Sequence, residues 1–459
     1  METAWDGGLL TNYLAHFKAL IGDKRTEVTF AEIIRGIIGA GSLICSEIGA
    51  HSAVLNRAKD VGRRVRGFAT GGSTHRSRVD ADSLTAKLRS RAAEQLSQGD
   101  TDVWLILDES DLRKPYAHQM PDLMKVRALD GHLVPGYRTL TVLGLIPGRR
   151  GILYNRVFSS KEHGFASESA EVQTALQTVG QALAEVKTRR RVTWIVDRGF
   201  DDQAVWRTIW EQEEHLVGRL CHVDRVVAGQ DEAGAWVRTD IQHAKRGLHV
   251  LATAQTEMKA RLGSQQTAKM QNATVEISAC PLQVTYESDV RREGGGRLEC
   301  KAVWLVEVRV LYSTLDPWLL ITDWPVTDAE SAVLVFRMYR QRWAVEDSFK
   351  FTKECLDWEE VQLLDLNGIR AVVALSWIAA GFLYELGVTL EWAEVTLLAR
   401  LGGWEGRPDR PPGKIALTRG LRRLCTMFAT EKFLDDYVAK HGALPPRIAA
   451  FIGRAPTQL

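Results

Sequence analysis

Tyr339-Arg-Gln-Arg342-Trp-Ala-Val-Glu346-Asp-Ser-Phe-Lys350-Phe-Thr-Lys353 is the stretch that decides how this chain is read. It has no Pro or Gly and lies in a run from about 328 to 356 whose apolar residues recur at helical spacing, which predicts one long helix. With Glu346 at the origin of a wheel of about 100° per residue, Tyr339, Arg342, Lys350 and Lys353 all fall within about 40° of it. Phe336, Met338, Trp343, Phe349 and Leu356 flank this stripe, and Arg337, Arg340, Gln341, Ala344, Asp347 and Ser348 lie opposite. The i,i+4 pairs Arg342–Glu346 and Glu346–Lys350 have an ordinary reading as an exposed ladder. The apolar flanks argue against it, because they turn the charged stripe toward the protein body. An uncompensated ion there costs roughly several kcal/mol, so a divalent cation and a phosphate backbone are the natural neutralisers.

Two acids lie outward of this helix. Val103-Trp-Leu-Ile-Leu-Asp108 and Val192-Thr-Trp-Ile-Val-Asp197 are apolar runs ending in aspartate, the pattern of strands buried on both faces. Functional side chains of an α/β sheet gather at the carboxyl ends of its strands, where the backbone stops. One such acid is ordinarily a cap or turn residue; two at equivalent strand ends are a stronger signal. Asp108-Glu109-Ser110-Asp111 leaves a choice for the first acid. Asp108 is preferred because it terminates the apolar run, with Asp111 expected in the following loop.

Tyr339-x2-Arg342-x3-Glu346-x6-Lys353 resembles the Tyr-Arg-Glu-Lys signature of bacterial insertion-sequence transposases of the cut-and-paste DDE class. Leu107-Asp108-Glu-Ser and Val196-Asp197-Arg-Gly-Phe are similar to the segments carrying that family's first two acids. The resemblance covers about residues 100 to 390. It implies an α/β fold with an RNase H-like catalytic core, a β-strand-rich insertion between the second Asp and the Glu, and flanking helical regions. It also implies an acidic triad of Asp108, Asp197 and Glu346 that is both catalytic and metal-binding. Lys350 matches a second lysine of the signature helix. Trp318 resembles an insertion-domain tryptophan stacking near a flipped base, a core aromatic being the competing reading. Arg219 resembles an arginine that contacts transposon-end DNA.

The chemistry follows from charge. Three carboxylates can hold two divalent ions ~4 Å apart, one activating the attacking oxygen and one stabilising the leaving oxygen. Oxygen-only ligands and phosphate substrates suit Mg²⁺, with Mn²⁺ as a substitute. Arg342, Lys350 and Lys353 are expected to hold phosphates, and Tyr339 to donate a hydrogen bond to one. The resemblance implies cleavage at terminal inverted repeats, a hairpin intermediate, transfer of 3′ ends into target DNA, and a homodimer pairing two ends of double-stranded DNA. Two competing readings are a metal nuclease that cuts without joining and a non-catalytic DNA-binding relative that inhibits transposition.

Around this centre the chain divides into an expected helical DNA-binding region 1–98, a first core part 99–221, the insertion 222–325, a second core part 326–395, and a helical region 396–459 that the resemblance links to dimerisation. Within 57–91, ten Lys/Arg stand against three Asp, a local net of +7 that leaves −5 for the rest of the chain. Interleaved with Gly and Ser around 71–74, it reads as a phosphate-tracking segment. The second basic run, 187–191, is better read as complementing the end of a helix over 167–186.

The 459 residues exceed one ordinary core, and 45% hydrophobic with 25% charged residues exclude a disordered or fibrous chain. The net charge of +2 excludes a histone-like blanket but averages over local segments. The six cysteines are far apart without a C-x-x-C pair, so neither a disulfide scaffold nor a cysteine zinc site is expected. The N-terminus lacks a signal-peptide pattern, and the apolar run 371–384 is short of the ~20 residues that span a bilayer. The expectation is a soluble bacterial cytoplasmic protein acting on DNA, with no membrane.

Overall fold

The computed structural model describes residues 8–51, 58–70, 80–98, 101–117, 119–128, 130–186, 190–260, 267, 269–287, 298–406 and 412–453. Arg57, Arg76 and Arg78 of the basic segment, its 71–74 turn, residues 187–189, Gly294–Gly296 and most of the 406–413 linker lie outside these.

The chain begins with helices α1 (Leu9–Ala15), α2 (Lys24–Ala40), α3 (Cys45–Ala50), α4 (Ala58–Thr70) and α5 (Ala81–Ser97). Asp23 starts α2 by accepting the Arg25 and Thr26 N–H groups, and Gly41 ends it in the left-handed region at φ 64°. Asp80 caps α5 in the same way through Ser83.

A sheet follows. Strands β1 (Val103–Arg113), β2 (Met124–Arg127), β3 (Leu133–Ile146) and β4 (Arg149–Phe158) precede α6 (Glu168–Glu185), β5 (Val192–Val196), α7 (Gln203–Glu211) and β6 (His215–Arg219). β4, β3 and β1 are antiparallel neighbours, and β1, β5 and β6 run parallel. The β3–β4 turn is tighter than the Pro147–Gly151 stretch predicts: Pro147 and Gly148 alone form it, with Gly148 at φ 75°. β1 also runs on past its apolar part to Arg113, so Asp111 lies within the strand and not in a following loop.

The next strands are β7 (Val226–Gln230) and β8 (Trp236–Asp240), then after the short helix α8 (Ile241–Ala244) come β9 (His249–Ala260), β10 (Lys269–Glu287), β11 (Leu298–Val310) and β12 (Trp318–Thr322). They continue the same sheet, because β12 pairs antiparallel with β6, Leu320 facing Arg219, and β11 with β12.

The sheet has a core on each face. Leu105 and Leu107 of β1 pack with Leu176, Val179 and Trp206 from α6 and α7. Ile106 points the other way, into a cluster with the N-terminal helices and the helices that follow β12. Burying each large apolar side chain there contributes about 1.5–3 kcal/mol.

Residues 328–356, expected to be one helix, form two: α9 (Ala329–Arg340) and α10 (Trp343–Cys355). Neither Pro nor Gly breaks them. Instead the i→i−4 ladder tightens to i→i−3 bonds, Arg342 N–H to the Tyr339 carbonyl at 3.0 Å, Ala344 to Gln341 at 2.8 Å and Val345 to Arg342 at 3.2 Å. The tightening re-phases everything downstream of Arg342. Trp343 is therefore 54% exposed, and Ser348, expected on the solvated side, is fully buried with its hydroxyl on the Ala344 carbonyl.

The chain ends with α11 (Leu366–Thr389), α12 (Trp392–Leu401), α13 (Lys414–His441) and α14 (Pro446–Phe451). α11 is longer than its apolar run and by length and composition alone could cross a membrane, but most of its apolar residues are covered by the rest of the chain. α12 and α13 approach closely: a Cβ on Gly420 would stand 1.8 Å from the Leu398 carbonyl oxygen. Only glycine fits that crossing.

Candidate active site

The parallel register sets Leu107 beside Val196, so Asp108 and Asp197 follow on adjacent strands at one level. Both turn toward the face carried by α9 and α10. Asp197 also starts the short 3-10 turn Arg198–Phe200, but its carboxylate makes no cap there and remains available. Glu346 comes from the first turn of α10.

The guanidinium of Arg342, at the joint between α9 and α10, sits among all three acids. Its Nη1 is 3.5 Å from Asp108 Oδ2 and 3.7 Å from Asp197 Oδ2, and Nη2 is 2.5 Å from Glu346 Oε1. The Arg342 side chain is 9% exposed, and Asp108, Asp197 and Glu346 are 18%, 25% and 41% exposed. Tyr339 donates its hydroxyl to Asp197 Oδ1 at 3.0 Å. Burial, then the neighbouring Asp197 carboxylate, holds that phenol far above its ordinary value, so it stays a donor.

Asp108 is the most enclosed acid and shows it. Burial pushes its carboxyl up to about 7, opposed by Arg342 and by the Glu109 N–H that it accepts at 2.9 Å, with Asp197 and Glu346 adding to the rise. For Arg342 burial acts to lower the pKa, but Asp197, Glu346, Tyr339 and Asp108 outweigh it and the net direction is up. The guanidinium is a fixed charge here.

Beside Asp108 and Asp197 lies a cleft of about 230 Å³ also lined by Glu109, Glu168 and Asp202, with Gly199 and Phe200 at its wall. These further acids were missed in the sequence. Glu168 and Asp202 open α6 and α7, where acids are expected at helix starts for local reasons. Arg138 tempers the cleft, 2.5 Å from Glu168 and 3.6 Å from Glu109. A larger cavity of about 1020 Å³ lies elsewhere, lined by Lys114, Tyr116, Met120 and Leu363 among others. The smaller cleft takes in Asp108 and Asp197 of the three acids, and the larger cavity carries its own charged residues, Arg113, Lys114, Glu359 and Glu360.

The remaining sequence candidates divide. Trp318 packs edge-on to Tyr339 at 5.5 Å and tilted to Phe336 at 6.2 Å, forming the back wall of the site. Arg219 ends β6 close enough for its charge to act on Tyr339. Lys350 does not join the acids: the re-phased α10 leaves it 62% exposed, 3.9 Å from Glu354. Lys353 is turned behind β1, donating to the Asp111 carbonyl at 2.7 Å and lying 3.6 Å from Glu359, with burial lowering its pKa. Asp111 faces away from Arg342, accepting the Arg127 N–H at 3.1 Å.

Three carboxylates around one guanidinium make an oxygen-only, strongly anionic donor set that already demands a positive charge. That is the character of a site for hard divalent cations. As the side chains stand, no three acidic, His or Cys side chains among the described residues converge on one ion position.

Residues 162–381 match the family described as transposase DDE domain. Asp197 and Glu346 fall inside the match, and Asp108 precedes it. A solved structure described as a piggyBac transposase synaptic complex with hairpin DNA is similar over 74% of this chain and 56% of its own, at 11% identity and a TM-score of 0.35. The chain thus spans little more than half the length of that protein. No curated protein sequence matches it. Residues 162–381, just under half of the chain, are thus similar to a transposase DDE domain.

Proposed function

We propose that this chain is an insertion-sequence DNA transposase. It binds terminal inverted repeats, cleaves the ends by metal-dependent phosphodiester hydrolysis, and transfers the 3′ ends to target DNA through a hairpin intermediate. The observation that carries the reading is the convergence of Asp108, Asp197 and Glu346 on Arg342, with Tyr339 bound to Asp197, from four separate elements. The sheet supports an RNase H-like core: three antiparallel strands, then two parallel ones, with the first two acids at adjacent strand positions and the third on a helix across the face. The strands between β6 and α9 are the insertion.

Asp108, Asp197 and Glu346 are the residues to hold two Mg²⁺ ions, or Mn²⁺ in their place. Bound there, the ions supply Lewis-acid activation of the attacking oxygen and charge stabilisation of the leaving one. Tyr339 orients Asp197, Arg342 and Arg219 offer cationic contacts to DNA phosphate, and Trp318 backs the tyrosine. Residues 1–98 are assigned to DNA binding and 396–459 to pairing two copies on two DNA ends, in the bacterial cytoplasm. The test is the full chain with DNA carrying the inverted repeats that flank its gene. End-specific nicking that needs Mg²⁺ is expected; binding without nicking would instead fit an inhibitor.

A pH dependence follows from Asp108. Its raised carboxyl contributes stability to the metal-free fold below its ordinary value of 3.8, and that contribution is lost as the pH rises through about 7. A cation needs the ionised form. Mn²⁺ binding at pH 6 is therefore expected to release about one proton, falling toward none at pH 8. Calorimetry in two buffers of different ionisation heat measures this; a release that does not change with pH contradicts it.

A further inference from the structure

We propose that Arg342 is an internal counter-cation that occupies the carboxylate centre of the metal-free chain and is displaced from it when divalent cations bind. The inference rests on the metal-dependent reading above. It concerns what the chain does before the ions arrive.

Four observations carry it. First, the same guanidinium serves all three acids and is almost wholly enclosed. Without it, three carboxylates would stand together uncompensated, the most enclosed of them Asp108, an arrangement like charges disfavour. Second, the hold is uneven. Only Glu346 is met at hydrogen-bond distance, while Asp108 and Asp197 stand at 3.5 and 3.7 Å. Among the described residues the buried Nε has no hydrogen-bond partner. An arginine built in permanently would use its fork on both edges; this one is held mainly by charge.

Third, among the described residues no three Asp, Glu, His or Cys side chains form a metal-holding group, so Asp108, Asp197 and Glu346 would have to shift to bind an ion. A divalent ion and a guanidinium a few Å apart repel each other, so the two are competitors for the same carboxylates. Fourth, an alternative resting place is adjacent. Arg342 Cζ already lies 5.2 Å from the centre of the Trp343 ring, which is half exposed. A cation is favoured on that face. Arg342 caps α10 without a side-chain cap bond, so the helix loses none when the side chain swings. Displaced there, the charge is at the mouth of the site, where a phosphate can meet it.

The test is calorimetric titration of Mn²⁺ into the full chain without DNA, comparing wild type with Arg342→Gln, Arg342→Lys and Glu346→Gln. Removal of the competing charge is expected to make Arg342→Gln bind Mn²⁺ about tenfold more tightly, with Arg342→Lys nearer wild type. Glu346→Gln is expected to bind more weakly. In wild type, labelling of Arg342 by phenylglyoxal, read by peptide mass, is expected to rise when Mn²⁺ is added; this needs no variant to fold. Mn²⁺ binding equal to or weaker than wild type in folded Arg342→Gln, or labelling unaffected by Mn²⁺, overturns the inference alone. Absence of Mn²⁺ binding in every form, or binding that Glu346→Gln leaves unchanged, overturns the metal-dependent reading with it.

Discussion

Glu346→Gln is expected to reduce Mg²⁺-dependent cleavage of end-containing DNA by a factor on the order of a thousand, while binding of the same DNA survives. The amide keeps the size of the carboxylate, and its oxygen can still accept from Arg342 Nη2, which Glu346 now meets at 2.5 Å. The joint between α9 and α10 is fixed by backbone bonds that do not involve this side chain. What is lost is one negative charge of three, and with it a ligand for the cations. Gel-shift and cleavage assays on one preparation separate the two effects. Cleavage within a few-fold of wild type would remove Glu346 from the site.

The second large effect decides between the two candidate first acids. Asp108→Asn is expected to lower cleavage by a similar factor, on the order of a thousand, and Asp111→Asn by no more than about threefold. Asp108 shares Arg342 with Asp197 and Glu346, and burial places its carboxyl near 7. Asp111, three residues on along β1, is directed to the opposite face, where it receives the Arg127 N–H and lies 4.0 Å from Arg138. Asn at 111 can keep the first of those contacts. Cleavage rates of the two variants in Mg²⁺ measure the contrast; equal losses would contradict the assignment.

The positions of the two aspartates were legible because a parallel strand buried on both faces has a simple signature, a continuous apolar run that stops at its functional end. Strand Val192–Val196 stops just before Asp197, as its run implies, whereas β1 continues through Asp108 to Arg113, so Asp108 lies mid-strand although level with Asp197. The four-residue spacing from Arg342 to Glu346 was legible too, since one helical turn keeps them together even across the joint. Beyond the joint the reading failed. A wheel assumes a constant rotation per residue, and the i→i−3 bonds around Arg342 break that assumption without any Pro or Gly to announce it. Lys350, Trp343 and Ser348 were misplaced for this reason. Lys353 kept its inward direction but met Asp111 and Glu359 in place of the acids, a partner choice set by β1 running on to Arg113. The acids Glu109, Glu168 and Asp202 carried no signal that separates a cleft lining from a helix start.

Under the proposed function, the Asp108–Asp197–Glu346 centre both cuts and joins DNA strands. The most direct measurement incubates the purified full chain and Mg²⁺ with labelled DNA carrying its own inverted repeat, plus an unlabelled target plasmid. Labelled ends covalently joined to the target through their 3′ oxygens are expected, absent without Mg²⁺ and absent with Glu346→Gln. Cleaved ends that never appear joined would contradict that function and leave a nuclease.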